Sequence, residues 1–400
     1  MSATWSDFDL YNPTEEHKML RQTVRQFVAA EVEPQAEVYD REEKFNINLF
    51  RKLGDLGLLG ISVPAQYGGS ELDATAAVLA HEEISASDPG FCLAYLAHAM
   101  LCVNNLSVNG SEEQKMRLLP NLCSGKFIGC MAMSEAQVGT DVLGMESTAV
   151  VKGSDYIVNG RKMWITNGTI DNQNAPADVV LMYVKTGPKK GDISTLLIEK
   201  SFAGYSVGQK IKNKLGMRAS NTAELVFNNC IVPKTNLVGR ENESMIHMMK
   251  NLEIERLTLA AMSLGIARRS LQIMQKYATE RTAFGKSLNQ FGQIQKYIAE
   301  SFAEYQAART YVYETARKLK TSGSGDPLDS DAVKLVASTT AKNIADRAIQ
   351  VLGGYGYVAE YVVERLWRDS KLLEIGGGTL EAHQKNICGQ LNKNSRRLYD

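Results

Sequence analysis

The segment Met248-Met-Lys-Asn-Leu-Glu-Ile-Glu-Arg-Leu-Thr-Leu-Ala-Ala-Met-Ser-Leu-Gly-Ile266 decides the fold of the C-terminal part of the chain. Its apolar residues recur at steps of three and four, which predicts a long helix with one buried face. Glu255 falls on that face among apolar side chains. A buried carboxylate either pairs with a cation or has a raised pKa, so Glu255 is either a structural ion-pair partner or a base. On this stripe alone, the structural ion pair is the more common arrangement.

Composition excludes several classes of protein. The chain has 400 residues, with 45 Lys+Arg balanced by 45 Asp+Glu, and 44% of the residues are hydrophobic. This balance argues against nucleic acid or a membrane surface as the main partner. We see no apolar run approaching the ~18 residues of a membrane span, and the acidic start resembles neither a signal nor a transit peptide. We therefore expect a cytoplasmic protein, or a mitochondrial matrix protein if the chain is a processed form.

The cysteines and histidines do not predict a metal site. The six cysteines form no Cys-x-x-Cys pair, and the five histidines lack the spacing of metal ligands. We expect reduced and mostly buried thiols.

Proline, glycine and the hydrophobic period divide the chain into three predicted domains: 1–126, 127–235 and 236–400. The first has helical periodicity, with predicted loops at Pro64 and at Pro89-Gly90. The second has short strands, including a hairpin around Gly153-Ser154-Asp155. The third predicts four long helices, at about 242–280, 290–320, 330–352 and 379–395, with Ser330 and Gly353 as caps of the third. The predicted fold class is α+β multidomain: a helical domain, a β-barrel-like domain and a four-helix bundle.

The string Gly354-Tyr-Gly-Tyr-Val-Ala359 matches a loose dinucleotide-binding fingerprint, but its context is wrong. A predicted long helix precedes it, whereas a Rossmann loop follows a strand and opens a helix. These glycines are better suited to turning the chain and allowing close approach of a ligand.

Four strings, taken in their order and spacing, resemble the acyl-CoA dehydrogenase family of flavoproteins. They are Ala132-Met-Ser-Glu-Ala-Gln-Val-Gly-Thr-Asp141, Trp164-Ile-Thr-Asn-Gly168, Arg281-Thr-Ala-Phe-Gly285 and Gln350-Val-Leu-Gly-Gly-Tyr-Gly-Tyr357. The resemblance runs from about residue 15 to the C-terminus, and the family fold has the same three-part organisation. It implies FAD as cofactor, an acyl-CoA substrate, an electron-transfer flavoprotein as electron acceptor and a homo-oligomer, a tetramer being the family's usual state.

The resemblance also implies which residues bind FAD. Trp164 offers an aromatic face to the flavin ring, and Arg281 has the bidentate fork that suits a diphosphate. By resemblance, Arg281 and Phe284 hold FAD carried by an adjacent subunit. Without the neighbouring motifs, Trp164 would be ordinary core and Arg281 a solvated charge. The implied FAD-binding residues are Met133, Ser134, Trp164, Thr166, Arg281, Phe284, Gln350, Gly353, Gly354, Thr379 and Glu381.

One position departs from most of the family. Most members carry their catalytic Glu where this chain has Gly377. The isovaleryl-CoA branch instead has a small residue there and places the Glu in a Leu-Glu-Arg-Leu helix string, which matches Ile254-Glu255-Arg256-Leu257. By this match Glu255 is the catalytic base, and Glu374 is a rival base of lower rank. Glu253 should point away from the site. The implied substrate-binding residues are Thr140, Arg256, Gly377 and Gly378.

The resemblance therefore predicts an acyl-CoA dehydrogenase that acts on a short branched acyl group, most plainly isovaleryl-CoA oxidised to 3-methylcrotonyl-CoA. Butyryl, isobutyryl, 2-methylbutyryl or longer chains stay open, since one methylene changes discrimination by only ~1–3 kcal/mol. Three rival classes also stay open: an acyl-CoA oxidase, a homologue that binds FAD or acyl-CoA without turnover, and a DNA-associated homologue.

Overall fold

The computed structural model describes residues 8–171, 173–324 and 327–394. The outer ends of the first and third predicted domains, and position 395 of the last predicted helix, lie outside these ranges. The N-terminal part is helical, as predicted. Its helices are α1 (Glu15–Phe27), α2 (Glu33–Arg41), α3 (Ile47–Asp55), α4 (Ala74–Ser85), α5 (Pro89–Leu96), α6 (Asn104–Asn109) and α7 (Glu112–Cys123).

The predicted loop at Pro89-Gly90 is wrong, because a helix begins there. The Asp88 carboxylate accepts a hydrogen bond from the Phe91 N–H at 3.0 Å, and Pro89 occupies the first helical turn, where no N–H is needed. The continuous helical run Pro89–Asn109 that follows has a mean hydropathy of 1.5 and is long enough to cross a membrane, contrary to our expectation. In its most apolar 18-residue window, 83% is buried inside the fold, as in a core helix.

The middle part is a sheet. Its strands are β1 (Gly129–Ala132), β2 (Thr148–Lys152), β3 (Asp155–Thr166), β4 (Val179–Lys185), β5 (Ile193–Glu199), β6 (Tyr205–Lys210), β7 (Thr222–Pro233) and β8 (Leu237–Val238). The strand order is β6-β7-β3-β2-β4-β5-β8, with β1 pairing parallel to β4. The predicted hairpin is confirmed as the antiparallel pair β2–β3. The longest pairing, β3 with β7, has a register shift between Lys162 and Ile165.

The C-terminal part contains the four predicted long helices and one unpredicted helix longer than a single turn. The long helices are α8 (Ser244–Glu280), α9 (Gly292–Lys318), α10 (Leu328–Leu352) and α13 (Leu380–Lys393). A two-stranded ribbon, β9 (Thr282–Ala283) with β10 (Lys286–Ser287), joins α8 to α9, and the short α11 (Gly354–Tyr357) follows α10. The unpredicted helix is α12 (Val363–Leu373).

The caps of α10 were predicted half correctly. Ser330 does not cap this helix, because the helix begins at Leu328 and the Ser330 hydroxyl instead donates to the Pro327 carbonyl at 3.0 Å. Gly353 ends it with φ +60°, a backbone angle that favours glycine, and its N–H donates to the Ile349 carbonyl.

Helix α8 connects the helical parts of the protein. It packs on α4, α9, α10 and α12, and its middle is buried from Glu253 to Ala267. The contact with α4 is close: a Cβ on Gly265 would lie 2.1 Å from the Ser85 hydroxyl. The rotation of α8, and therefore the direction in which Glu255 points, is set by these neighbours.

Candidate active site

Glu255 lies in the buried middle of α8, 6% exposed, as the stripe predicted. Its Oε2 is fully buried and has no hydrogen-bond partner. Burial raises the pKa of Glu255 from 4.5 to about 7, although the charges of Arg256 and Lys334 oppose the shift. The expectation of a structural ion pair therefore does not describe this carboxylate, because one oxygen lacks a partner and its pKa lies where a general base is effective.

The glycine loop after α12 meets Glu255. Gly377 and Gly378 have φ of +67° and +105°, backbone angles that favour glycine. A Cβ built on Gly377 would lie 3.3 Å from Glu255 Oε1 and 2.2 Å from Leu259 Cδ1. The carboxylate of Glu255 thus lies next to the position that a side chain at residue 377 would occupy. A base on α8 could therefore reach the same substrate atoms as a base on the loop.

The rival base Glu374 and the neighbouring Glu253 are both engaged with other partners. Glu374 forms an ion pair with Lys371, at 2.6 Å between Oε2 and Nζ. Glu253 accepts hydrogen bonds from the N–H and the hydroxyl of Ser324, both at 2.9 Å, so it points away from Glu255 as predicted. Among these three carboxylates, the buried oxygen without a partner belongs to Glu255.

Arg256 extends from the same turn of α8 toward α10 and α13. Its Nη1 lies 3.1 Å from Oδ1 of the buried Asp331, which also bonds the His383 ring at 2.5 Å. Arg256 lines a cavity of about 370 Å³ between these helices. The other lining residues are Met249, Leu252, Pro327, Lys385, Asn386, Gly389, Gln390 and Lys393. Arg256, Lys385 and Lys393 give this cavity a positive charge that suits an anionic ligand, and Glu255 is not among its lining residues.

Trp164 is not ordinary core, because its side chain is 54% exposed. It sits at the register shift of β3 with φ +59°, so a β-bulge turns the ring out of the sheet. The neighbouring Met163 N–H donates to the Ser134 carbonyl at 2.9 Å, which ties the segment after β1 to the bulge. Met133, Ser134, Trp164 and Thr166 are thereby brought together, and an exposed indole face beside backbone polar groups fits a flavin ring.

A buried ion pair that we did not predict from the sequence holds this segment. Lys162, fully buried on β3, donates to the Met133 carbonyl at 2.9 Å and to Glu135 Oε1 at 2.8 Å. Glu135 in turn accepts the N–H groups of Glu146 and Ser147. Burial lowers the pKa of Lys162, while Glu135 opposes this shift. The sequence alone does not indicate this ion pair. Glu135 is one charged residue within a family-like string, and Lys162 is another that lies two positions before the next string.

We predict that Lys162→Met weakens FAD retention by roughly 10–100-fold, because it removes one partner of a buried pair and releases the Met133 carbonyl. The measurement is the FAD dissociation constant of reconstituted protein, with the exposed Lys152→Met on the same sheet as control. Equal FAD affinity in both variants would show that the pair does not shape the segment.

Five other predicted FAD residues lie at the far end of α8: Arg281, Phe284, Gln350, Gly353 and Gly354. Arg281 caps this helix, and at a rise of about 1.5 Å per residue it is roughly 39 Å along the axis from Glu255. Phe284 is 96% exposed beside it. Gln350, Gly353 and Gly354 end α10, whose last turns share an apolar cluster with Met274 and Ala278 of α8. Within one chain, the structure does not bring these residues to Glu255.

The other predicted residues are closer to the loop or on the surface. Thr379 caps α13, accepting the Ala382 N–H at 3.2 Å, as expected for the start of the last helix. Glu381 and Thr140 are exposed. The six cysteines are free, and all but Cys388 are buried. In the part of the chain that the structure describes, no cluster of three or more His, Cys, Asp or Glu residues could hold a metal ion.

The raised pKa of Glu255 leads to a prediction about stability. Its folded-state pKa of about 7 exceeds the ordinary 4.5, so folding binds a proton between these values and the carboxylate destabilises the fold as pH rises through this window. Glu255→Gln should therefore be more stable than the parent at pH 8, by on the order of 2 kcal/mol, and lose that advantage near pH 4.5. Thermal unfolding midpoints at pH 5 and pH 8 measure this. A variant that is less stable than the parent at pH 8 would contradict it.

Fold and site together fit a flavin-dependent oxidoreductase, with the Glu255 carboxylate in an apolar wall. Family models agree over most of the chain: acyl-CoA dehydrogenase N-terminal domain at residues 14–126, middle domain at 130–230 and C-terminal domain at 245–391. The chain belongs to the acyl-CoA dehydrogenase family. It is therefore an oxidoreductase that uses FAD and acts on acyl-CoA thioesters.

Individual relatives agree with this assignment. The chain is 41% identical over 385 residues to a mitochondrial isovaleryl-CoA dehydrogenase of Pongo abelii, covering 95% of this chain and 89% of the relative. It superimposes on the butyryl-CoA dehydrogenase of Megasphaera elsdenii with a TM-score of 0.89 at 30% identity, covering 98% and 100% of the two chains. An acyl-CoA dehydrogenase of Bacillus anthracis solved with FAD gives a TM-score of 0.89 at 31% identity, covering 99% of this chain and 69% of that one.

Proposed function

We propose that the enzyme oxidises a short branched acyl-CoA, with isovaleryl-CoA giving 3-methylcrotonyl-CoA, and that Glu255 is the base. The observation that carries this proposal is the position of the Glu255 carboxylate opposite Gly377, with one buried oxygen unpartnered. Similarity to isovaleryl-CoA dehydrogenases supports the branched substrate. The three predicted domain boundaries and the site residues are part of the same proposal.

The residues of the chain account for the proton step. Met133, Ser134, Trp164 and Thr166 would hold the flavin ring of FAD, which would supply the acceptor for the β-hydrogen as hydride. Glu255 removes the α-proton, and its raised pKa brings the carboxylate closer in basicity to the weakly acidic thioester C–H. The Gly377 N–H, exposed on a loop without side chains, would donate to the thioester oxygen and stabilise the developing negative charge. Apolar neighbours such as Leu259 exclude water from this step.

The substrate preference follows from the space at position 377. Gly377 adds no side chain beside the reacting carbons, and Leu259 already fills the position that a Cβ would take, with its Cδ1 2.2 Å away. We propose that a methyl branch near the β-carbon lies along the bare backbone of Gly377, where a larger residue would obstruct it. Since such contacts discriminate by only ~1–3 kcal/mol, we expect isovaleryl-CoA to exceed butyryl-CoA in kcat/KM by about 10–100-fold.

Catalysis should depend on pH through Glu255. The base must be ionised to act, and its pKa in the free enzyme is about 7. We therefore predict that kcat/KM rises with pH through about 7 and falls about tenfold per pH unit below pH 6. Anaerobic stopped-flow reduction of the flavin between pH 5.5 and 9 measures the profile. A flat profile over this range would exclude a base of this pKa.

The substrate experiment is anaerobic bleaching of the flavin against isovaleryl-, 2-methylbutyryl-, isobutyryl-, butyryl- and octanoyl-CoA. The proposal expects the fastest bleaching with isovaleryl-CoA. Faster bleaching with a straight chain would reject the branched substrate while leaving the dehydrogenase activity in place. Absence of bleaching by every acyl-CoA would favour a homologue that binds ligands without turnover, and peroxide formation under air would identify an oxidase.

The site residues also support a homo-oligomer. Because Arg281 lies roughly 39 Å from Glu255 along α8, one chain alone does not bring both to the same FAD. We propose that Arg281 and Phe284 complete the FAD site of an adjacent subunit and that the assembly is a tetramer. We further propose an electron-transfer flavoprotein as acceptor, and a cytoplasmic or mitochondrial matrix location.

A further inference from the structure

Lys334 is a buried lysine on α10 that contacts the Gly377–Gly378 loop. Its side chain is fully buried, and its Nζ donates to the Gly378 carbonyl at 2.7 Å. A buried ammonium is costly unless it is paired and hydrogen-bonded. A charged side chain at this buried position therefore indicates a function that an apolar side chain of similar length could not perform.

Besides the hydrogen bond from Lys334, few contacts hold the loop of Gly376, Gly377 and Gly378 in place. Gly376, Gly377 and Gly378 have no side chains, and glycine has the largest conformational freedom of any residue. The Gly376 N–H donates back to the Leu372 carbonyl at 2.7 Å, which anchors the loop where α12 ends. At the other end, the Lys334 hydrogen bond fixes the Gly378 carbonyl, and the His383 ring packs where a Cβ of Gly378 would lie. The segment that faces Glu255 is thus secured from both sides.

Charged groups from every neighbouring helix surround Lys334. They are Glu255 and Arg256 from α8, Asp331 from its own helix, Glu374 from the end of α12 and His383 from α13. Burial lowers the pKa of Lys334 to about 8, while Glu255 opposes the shift. For Glu255, the facing charged groups are Arg256 and Lys334, and the buried phenol of Tyr183 interacts with it from β4.

Arg256 cannot replace Lys334 in this role. Its Nη1 is paired with Asp331 at 3.1 Å, so much of its charge is balanced there. The Lys334 ammonium is held by a neutral carbonyl instead, so its charge acts on the carboxylates of Glu255, Glu374 and Asp331. Asp331 is paired with Arg256 and Glu374 with Lys371, whereas Oε2 of Glu255 is unpartnered.

We propose that Lys334 is a positioning residue of the dehydrogenation: it fixes the Gly377–Gly378 loop through the Gly378 carbonyl, and its positive charge favours the carboxylate form of Glu255. This inference rests on the proposed role of Glu255 as base. Removing the charge would raise the pKa of Glu255 further, and removing the donor would free the loop that faces it.

Two substitutions separate the two roles. Lys334→Met removes the charge and the donor, whereas Lys334→Gln removes the charge and keeps a donor. Lys342→Met, at a half-exposed lysine further along α10, is the matched control. Two measurements are made on the FAD-loaded proteins: amide hydrogen exchange of the peptide spanning residues 374–380, and the pH dependence of anaerobic flavin reduction by isovaleryl-CoA.

We expect Lys334→Met to speed exchange in 374–380 by about tenfold and to move the midpoint of the pH profile upward by about one unit. Lys334→Gln should shift the midpoint similarly while exchange rises less. Lys342→Met should match the parent in both measurements. If Lys334→Met yields no folded protein, Lys334→Gln decides the charge role by its pH midpoint.

Unchanged exchange and an unchanged pH midpoint in Lys334→Met, or in Lys334→Gln where only that variant folds, would overturn the inference. So would faster exchange without any pH shift, since that result describes a merely structural lysine. Failure of isovaleryl-CoA to bleach the parent's flavin would instead reject the proposed substrate. The pH profile is then measured with whichever acyl-CoA does bleach it, and if none does, both the base role of Glu255 and this inference fail.

Discussion

Glu255→Gln slows flavin reduction by the acyl-CoA substrate by roughly 10²–10⁴-fold while FAD stays bound, because a general base contributes a rate factor of that size. Gln is nearly isosteric with Glu and cannot accept the α-proton at neutral pH. We expect the Gly377 loop and the bulge at Trp164 to be unaffected by this change. Anaerobic stopped-flow bleaching at a saturating concentration of isovaleryl-CoA measures the rate.

The matched control for this prediction is Glu374→Gln. Glu374 stands three residues before Gly377 and is paired with Lys371 at the end of α12. We expect this variant to keep bleaching within about tenfold of the parent, since it loses an ion pair but no proton acceptor. Rapid bleaching of Glu255→Gln together with slow bleaching of Glu374→Gln would show that Glu374, and not Glu255, is the base.

The second large effect is on stability. Glu83→Gln should destabilise the protein by about 3–5 kcal/mol, because it removes one partner from a buried ionic network. Glu83 is 3% exposed and contacts Arg21 at 2.5 Å, Arg25 at 3.0 Å and Arg268 at 2.6 Å. These arginines come from α1 and α8, so the network fixes α8 against the N-terminal helices. The loss is read from urea unfolding of the holoenzyme.

This stabilisation depends on pH in a defined direction. Burial alone raises the pKa of Glu83, but the hydrogen bonds and charges of Arg268, Arg25 and Arg21 outweigh burial and lower it to about 2. The ordinary value is 4.5, so the contribution is fully present above about pH 5 and is lost as pH falls toward 2. The difference between parent and Glu83→Gln should therefore shrink on acidification.

The exposed ion pair of Glu31 with Lys52 provides the control for Glu83. Its side chains are 43% and 51% exposed, so Glu31→Gln should change stability by under about 1 kcal/mol. A Glu83→Gln variant as stable as Glu31→Gln would show that the buried network does not fix α8.

Much of the fold was predictable because its signals are local. The stripe from Met248 to Ile266 follows the helical period over five turns, and the β2–β3 hairpin has a clear turn at Gly153. Helix α12 was not predicted: it follows the glycine- and tyrosine-rich stretch after Gly353, which obscures where a helix could begin. The membrane-length run at Pro89–Asn109 was also missed, because polar residues such as His98 interrupt it in sequence but are buried in the fold.

The residues of the site were predictable from the sequence only where they lie within a recognisable motif. Glu255 and Gly377 were recognisable from family-like strings, but their contact joins residues more than a hundred positions apart. Lys334 and Lys162 had no such signal, because a lysine in a helix or strand usually indicates a solvated surface. Their burial depends on acceptors distant in sequence, the Gly378 carbonyl for one and Glu135 for the other. The exposure of the Trp164 ring depends on a β-bulge that no local sequence pattern predicts.

The assignment of Glu255 as the base is tested most sharply by a crystal structure of the FAD-loaded enzyme with an unreactive thioether analogue of isovaleryl-CoA. We expect a Glu255 carboxylate oxygen within about 3.5 Å of the ligand's α-carbon, and the methyl branch in the space beside Gly377. A structure in which Glu374 is the nearest carboxylate to that carbon, with Glu255 turned away from it, would refute the assignment.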